Sequence, residues 1–440
     1  MQELVEGIVQ EFRGEVEQFF LEAGKWVKEG ADGGLERWEQ GARDRLQPIQ
    51  RRLLEVVIKM MGKGYEGVKR PCPRCRQMTR YVNDRERTIQ TVVGEVKGIR
   101  RSYYQGCRCG AGSFPLDEKL MLDREGRSPG LRRVISLAGS ISPYEKTVDY
   151  LWEIGRIVVS GGKVERITEG EGERAREWLR RQESRGLSGI GAPEPERLYV
   201  QTDGTTVHTQ EGWKEVKLGA VFASAGKDED GQDRRGETRY TGGFETVDEF
   251  MPRLNGLARG AGAGKAREVV VLADGAAWIW KRVPELFANV PVIQIVDWYH
   301  AQERIWNIAH MVYGETSEQA TQWAEKCRQK LWEGDVSAVI GEIKRLISSR
   351  SDVKEYVRQS VGYYQENKER MRYALFRRQG YFIGSGVIES ACKHLVAQRL
   401  KQAGMQWNQE HAQKVLSLNL CRASGWWDQL WLSPKIRDAA

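Results

Sequence analysis

The order of strand-like and helix-like segments after residue 197 constrains this chain most. RLYVQTDG (197–204) reads as a strand ending at Asp203, and WKEVKLGAVFAS (213–224) alternates after a turn at Glu211-Gly212, so the two pair antiparallel. RRGETRYTGGF (234–244) reads as the third strand of that meander. A helix over 247–259 follows, then the strongly apolar strand REVVVLADG ending at Asp274, then a helix containing Trp278 and Trp280. PVIQIVDWYH (291–300) is the next strand, ending at Asp297. Three consecutive strands followed by alternating helix and strand describe an α/β domain with a mixed sheet and helices on its faces. Residues 300–380 carry helical spacing without a strand signal and read as an insertion. Beyond them QGYFIGSG leads into VIESACKHLVAQRLKQAG, an amphipathic helix with Glu389 in its first turn.

Upstream the character differs. Residues 1–66 show two amphipathic helices, marked by Leu4, Ile8, Phe12, Val16, Phe19 and Phe20, then by Leu46, Ile49, Leu53, Val56 and Val57. A Gly-rich break from Gly24 to Gly34 separates them; packing is their default role, with dimerisation or DNA-backbone contact as alternatives. Between PCPRC (Cys72, Cys75) and GCRCG (Cys107, Cys109) lie strand-like stretches with turns expected at Asn83–Asp84 and Gly94–Glu95. Two close Cys pairs flanking antiparallel strands suit a zinc ribbon, in which four thiolates close a structural Zn²⁺ site. Reduced structural thiols or a redox pair are the other readings. Ser128-Pro129, Ser142-Pro143 and Ser160 each open a short helix, and Gly155 followed by a helix with Lys163 and Arg166 fits either a DNA-reading helix-turn-helix or a plain three-helix bundle. RGLSGIGAPEPE (185–196) marks a domain boundary.

The formal net charge of +8 is unevenly placed, with +7 in residues 71–140 and +6 in 371–440 around a mildly acidic middle. Two separated basic segments suit a polyanionic partner. No apolar run approaches the ~20 residues of a membrane helix, the first residues lack a signal-peptide pattern, and seven cysteines are too sparse for a secreted disulfide scaffold. A soluble cytoplasmic protein without membrane contact is the expectation.

Asp203 and Asp274 each end an apolar strand and precede Gly, and the carboxyl ends of the strands are where α/β sheets bind ligands. Each alone is also an ordinary Asp-Gly turn, and Glu389 alone is an ordinary helix-start acid. Grouped carboxylates beside a polyanion are unfavourable unless they hold cations, and oxygen ligands select Mg²⁺ or Mn²⁺. Lys393, Arg399 and Lys401 on the Glu389 helix suit phosphate contacts or solvated charge. Trp278, Trp280, Trp298, Tyr299, Trp306 and Trp407 suit the core first and base stacking second.

CPRC, YYQGCRCG with FPLDE, YVQTDGTTVHTQEGWKEVKLGAVF, VLADGAAWIW, VDWYHAQERIW, GSGVIESACKHLVAQRLKQAGMQW and the closing WWDQLW, in that order, resemble bacterial insertion-sequence DDE transposases of the ISKra-type family from about residue 70 onward. The resemblance implies a ribonuclease-H-like catalytic core with an all-helical insertion, a DDE triad of Asp203, Asp274 and Glu389, and two catalytic Mg²⁺ or Mn²⁺ ions. It implies metal-dependent cleavage at transposon ends and strand transfer into target DNA, by a homodimer or larger assembly associated with the nucleoid. Asp297-Trp298-Tyr299-His300 is similar to the C/D-x-x-H element of related eukaryotic Mutator-like transposases, which makes Asp297 and His300 supporting residues or a structural pair. The expected division is 1–66 helical, 67–122 zinc-ribbon-like, 123–194 helix-turn-helix-like, 195–300 core, 301–380 insertion, 381–405 final core helix and 406–440 helical tail. The alternatives are a ribonuclease-H-like nuclease or resolvase without strand transfer, and a catalytically inert zinc-ribbon DNA-binding regulator.

Overall fold

The computed structural model describes residues 2–28, 34–350 and 354–432. The side chains of Leu4 and Ile8, part of the Gly24–Gly34 break and residues 433–440 of the expected tail lie outside the described residues. The described residues form a mixed α/β protein with two sheets, divided into two compact units: those up to 171 with 431–432, and those within 172–430. Among the described residues no helix is long and apolar enough to cross a membrane.

In the first unit α1 (Gln2–Lys28) and α2 (Gly34–Met60) precede a three-stranded antiparallel sheet of β1 (Lys69–Pro71), β2 (Met78–Thr91) and β3 (Gly94–Gln105). Ile89, Val96 and Ile99 pack with Ile58 of α2 and Leu116 of the short α3 (Pro115–Lys119). The turn expected at Asn83–Asp84 is a bulge instead: β2 runs through it and shifts register against β3 between Tyr81 and Asn83. Asp84 is held there by Lys63, Tyr81 and Ser102, which replaces the local pairing a turn would supply.

Helix α4 (Pro129–Ile141) starts where Ser128 accepts the Leu131 N–H and Pro129 occupies the first turn; α5 (Tyr144–Gly155) ends on Arg156 at φ 51°. Helix α6 (Gly161–Leu187) passes the unit boundary. Leu131, Ile135, Leu151, Ile157, Val164 and Ile167 form a small core of their own beneath these helices.

In the second unit β4 (Arg197–Thr209), β5 (Gly212–Lys227), β6 (Asp233–Gly243), β7 (Glu268–Ala273) and β8 (Val292–Val296) form one sheet in the order β6-β5-β4-β7-β8. The first three are antiparallel neighbours; β4, β7 and β8 are parallel. A central parallel strand is covered on both faces and reads as an unbroken apolar run, which is why Val269 to Ala273 are all buried. Helix α7 (Val247–Gly260) opens with a Thr246–Glu249 capping box and lays Phe250 and Leu254 against Gly219. Helix α8 (Ala277–Leu286) links β7 to β8 and buries Ile279, Trp280 and Val283.

Helices α9 (Trp298–Tyr313), α10 (Glu318–Trp332), α11 (Val336–Ser349), α12 (Glu355–Glu366) and α13 (Tyr373–Arg378) follow β8. Helix α14 (Gly386–Ala391) comes next, on the sheet face opposite α7: its Ile388 N–H donates to Gln201 Oε1. The expected helix runs without a break over residues 386–400, but its middle is π-helical: α14 passes into a π-helical segment over Cys392–Ala397 and then a last turn, α15 (Gln398–Leu400). Helix α16 (Gln409–Ala423) then buries most of its residues, and α17 (Trp427–Leu432) closes the described chain.

Candidate active site and cysteine cluster

The register of the parallel strands fixes the acidic centre. Thr202 of β4 is level with Ala273 of β7, and Ala273 is level with Val296 of β8. The next residue on each strand is an aspartate: Asp203, Asp274 and Asp297. Parallel neighbours lie about 4.8 Å apart, so three carboxylates stand in a row where the parallel pairing stops. β7 and β8 end there, but β4 does not: it continues to Thr209, paired with β5 and bridged at its end to Trp407, so Asp203 lies inside a strand rather than at its end.

Asp297 is fully buried and acts as a hub. Its Oδ1 accepts the backbone N–H of His300 at 2.7 Å, capping α9, and lies 3.1 Å from His300 Nδ1. Its Oδ2 accepts the backbone N–H of Ser385. Ser385 in turn donates its hydroxyl to Glu389 Oε1 at 3.1 Å, and the Trp298 N–H donates to Ile383 O at 2.9 Å. The loop before α14 is thereby tied to the end of β8, and one ligand atom each from Asp297, His300 and Glu389 lie within 4.8 Å of one another. That close group does not include Asp203 or Asp274. Asp203 instead receives the Gly204 N–H at 2.7 Å on Oδ1 and meets the Cys392 thiol at 3.5 Å on Oδ2. Asp274 Oδ1 accepts the Ala276 N–H at 3.0 Å.

The electrostatics tie the pieces together. Burial pushes the Asp203 carboxyl above its ordinary range, and the charge of Asp274 adds to the push. Burial opposes the Asp297 charge, but hydrogen bonds from His300 and Ser385 outweigh it and hold the carboxyl below its usual range. The Asp297 hydrogen bond raises His300 to about 9, with the charges of Asp203 and Asp274 contributing, so the imidazole is a cation at neutral pH. Burial, then Asp203, keeps the Cys392 thiol protonated. Repelling carboxylates with oxygen donors, half-open to solvent, are a donor set that fits a hard divalent cation.

Sequence reasoning read Asp203, Asp274 and Glu389 from their context and reached Asp297 and His300 through a resemblance. The signal behind Asp203 and Asp274, an apolar strand ending in Asp, was equally present in VIQIVD. Ser385 and Cys392 carried no signal. Of the basic residues on the final helix, Lys393 and Lys401 are exposed, and Lys401 reaches Thr205 Oγ1. Arg399 is a correction: it is 2% exposed and lies over the Trp407 ring at 4.8 Å, because the π-helical segment rotates it inward, so it offers no surface to a phosphate. Trp280, Trp298 and Trp407 are buried, whereas Tyr299 is exposed beside Gly384. In the first unit Arg166 is exposed, while Lys163 is engaged with Gln90 Oε1 at 2.5 Å.

The cysteines of the first unit converge. One Sγ each from Cys72, Cys75, Cys107 and Cys109 lie within 4.8 Å of one another, with Cys72–Cys109 at 3.7 Å and Cys107–Cys109 at 3.1 Å. Four thiolates around Zn²⁺ at about 2.3 Å stand about 3.8 Å apart, so the spacing fits. Burial opposes a Cys72 thiolate, but the N–H groups of Cys75 and Arg74 outweigh it and bring the thiol down to about 6.

The fold and the two clusters define a mixed α/β protein with an acidic centre at the ends of its parallel strands and a separate four-cysteine module. The chain belongs to the Uncharacterised protein family (UPF0236), whose model matches residues 38–429. No curated protein matches it.

Proposed function

We propose that the chain is a DDE-type DNA transposase whose residues 195–405 form a ribonuclease-H-like core. The observation that carries this reading is the level register of Asp203, Asp274 and Asp297 on three neighbouring parallel strands, with the Glu389 helix tied to the same spot through Ser385. The strand order, an antiparallel meander whose first strand pairs in parallel with β7, which pairs in parallel with β8, supports the ribonuclease-H-like reading. The helices between β8 and α14 supply the insertion.

Asp203, Asp274 and Glu389 would hold two divalent cations, which when bound supply positive charge to the attacking and leaving oxygens of a phosphodiester. Asp297 orients His300 and, through Ser385, Glu389. Water attack on phosphorus would break the P–O3′ bond at the element end, and the freed 3′-hydroxyl would then attack a target phosphodiester in line. Lys393, Lys401 and Arg166 offer charge to DNA, and the cysteine module would hold a structural Zn²⁺.

Asp203→Ala with Mg²⁺ or Mn²⁺ on DNA carrying the element ends tests the reading. The wild type should cut and the variant should not, with DNA binding measured without divalent metal retained. Cleavage surviving in the variant rejects the assignment. A ribonuclease-H-like nuclease is separated from a transposase by whether pre-cut ends are joined to a second DNA.

A further inference from the structure

Arg304 lies one helical turn beyond His300 on α9, so both project from the same face. Its guanidinium stands 4.2 Å from the Tyr363 ring centroid and 4.9 Å from that of Tyr356, both on α12, and Nη1 donates to Ser360 Oγ at 3.3 Å. Ser360 is fully buried and is itself fixed by the Tyr356 carbonyl at 2.7 Å. Tyr363 packs so closely on Gly275, the residue after Asp274, that any Cβ there would fall 2.0 Å from its ring. A contact path thus runs from Asp274 through Gly275 and Tyr363 to Arg304.

Among the described residues no carboxylate forms an ion pair with Arg304, although the protein pairs many of its other arginines with acids. Half-buried charges are ordinarily paired, and an apolar side chain would join α9 to α12 at lower desolvation cost. A guanidinium held between two rings, with its remaining donors free of protein acids, is prepared for an anion that arrives from outside.

Resting on the transposase reading, we propose that Arg304 binds a backbone phosphate of the DNA strand entering the acidic centre. Phosphates recur about every 3.4 Å of axis along one strand, and four helical residues span about 6 Å, so the phosphate met is one or two positions from the scissile one. Arg304 is then a positioning residue, setting the strand's register over Asp203 and Asp274.

The test is binding of a short fluorescent duplex carrying the element end by the full chain, titrated with KCl, with Ca²⁺ replacing Mg²⁺ to suppress cutting. Arg304→Gln should weaken the Ca²⁺-dependent binding about tenfold and reduce the slope of log K against log salt by about 1. Arg304→Lys should keep that slope while losing part of the affinity, since it retains the charge without the fork. Wild-type affinity and slope in Arg304→Gln would overturn the proposal, as would equal losses of binding and melting temperature in both variants, which mark a packing role. If wild-type binding responds neither to Ca²⁺ nor to Asp203→Ala, the metal-site reading itself fails. A response to both with none to Arg304→Gln sinks the phosphate contact alone.

Discussion

At the scale of single residues, the acidic centre separates groups that would touch substrate or metal from groups that hold them. Alanine at Asp203, Asp274 or Glu389 removes a ligand outright; charge stabilisation by bound metal is worth several kcal/mol, so divalent-dependent cleavage should fall about a thousandfold or more. A gel assay of strand cleavage, with anisotropy in EDTA confirming that metal-independent DNA binding stays within about twofold, checks this. Ser385 is different in kind, because its hydroxyl only steadies Glu389. Losing one such hydrogen bond costs about 1–1.5 kcal/mol, so Ser385→Ala should slow cleavage about tenfold. Ser385→Thr should restore much of it, and Mn²⁺ should narrow the gap if Glu389 placement is the cause. A Ser385→Ala enzyme cutting at the wild-type rate would detach that serine from the site.

At the scale of elements, strand identity was legible because burial writes it into composition: EVVVLA is apolar throughout as a doubly covered strand must be, and the Asp after it marks where cover ends. The same logic located the helix that carries Glu389. Its interior was not legible. The spacing of VIESACKHLVAQRLKQAG fits one amphipathic helix, whereas the π-helical segment from Cys392 turns Arg399 into the core, a choice made by packing against Trp407 rather than by local propensity. The continuation of β4 past Asp203 was hidden for a related reason, since DG resembles a turn but Gly204 here lies beneath the Glu215 side chain of the paired strand. Long-range ion pairs are equally silent in sequence. Glu342 of α11 is buried among Lys326, Lys330 and Arg345 at 2.9–3.0 Å. Burial opposes its charge, but hydrogen bonds from the two lysines outweigh it and hold the carboxyl at about 2. A depressed carboxyl contributes stability that is present above its unfolded value and lost as pH falls toward the folded one. Glu342→Gln should therefore lower the unfolding free energy measured by urea titration at neutral pH by about 1–3 kcal/mol. The deficit should shrink as the pH is taken from 5 toward 2. A deficit that is constant over that range would mean the glutamate's shape matters and its charge does not.

At the scale of the whole molecule, the chain combines parts that a simple nuclease does not need. The four-cysteine module has the small core of Ile58, Ile89, Val96, Ile99, Leu116 and Leu122, which is thin support for a sheet of that length. A closed thiolate site would supply the missing stability, since metal binding is folding free energy in such modules. Metal analysis of the purified chain should then find one zinc for each set of four cysteines, and Cys107→Ser should abolish it. Because Cys72, Cys75, Cys107 and Cys109 lie in the first unit and Asp203, Asp274 and Glu389 in the second, that loss should spare phosphodiester chemistry while weakening DNA recognition. The variant gives a further discrimination. With duplexes that already expose a 3′-hydroxyl, a transposase skips its first step and joins the end to a circular target, whereas a nuclease leaves the target uncut or merely nicked. Wild-type chain should produce the joined circle in Mg²⁺, and Cys107→Ser should produce it only at raised DNA concentration. If the joined circle never forms while nicking proceeds, the carboxylates serve hydrolysis alone. If the zinc-free variant joins ends as well as the wild type, the basic first unit is not what brings the DNA to the acidic centre.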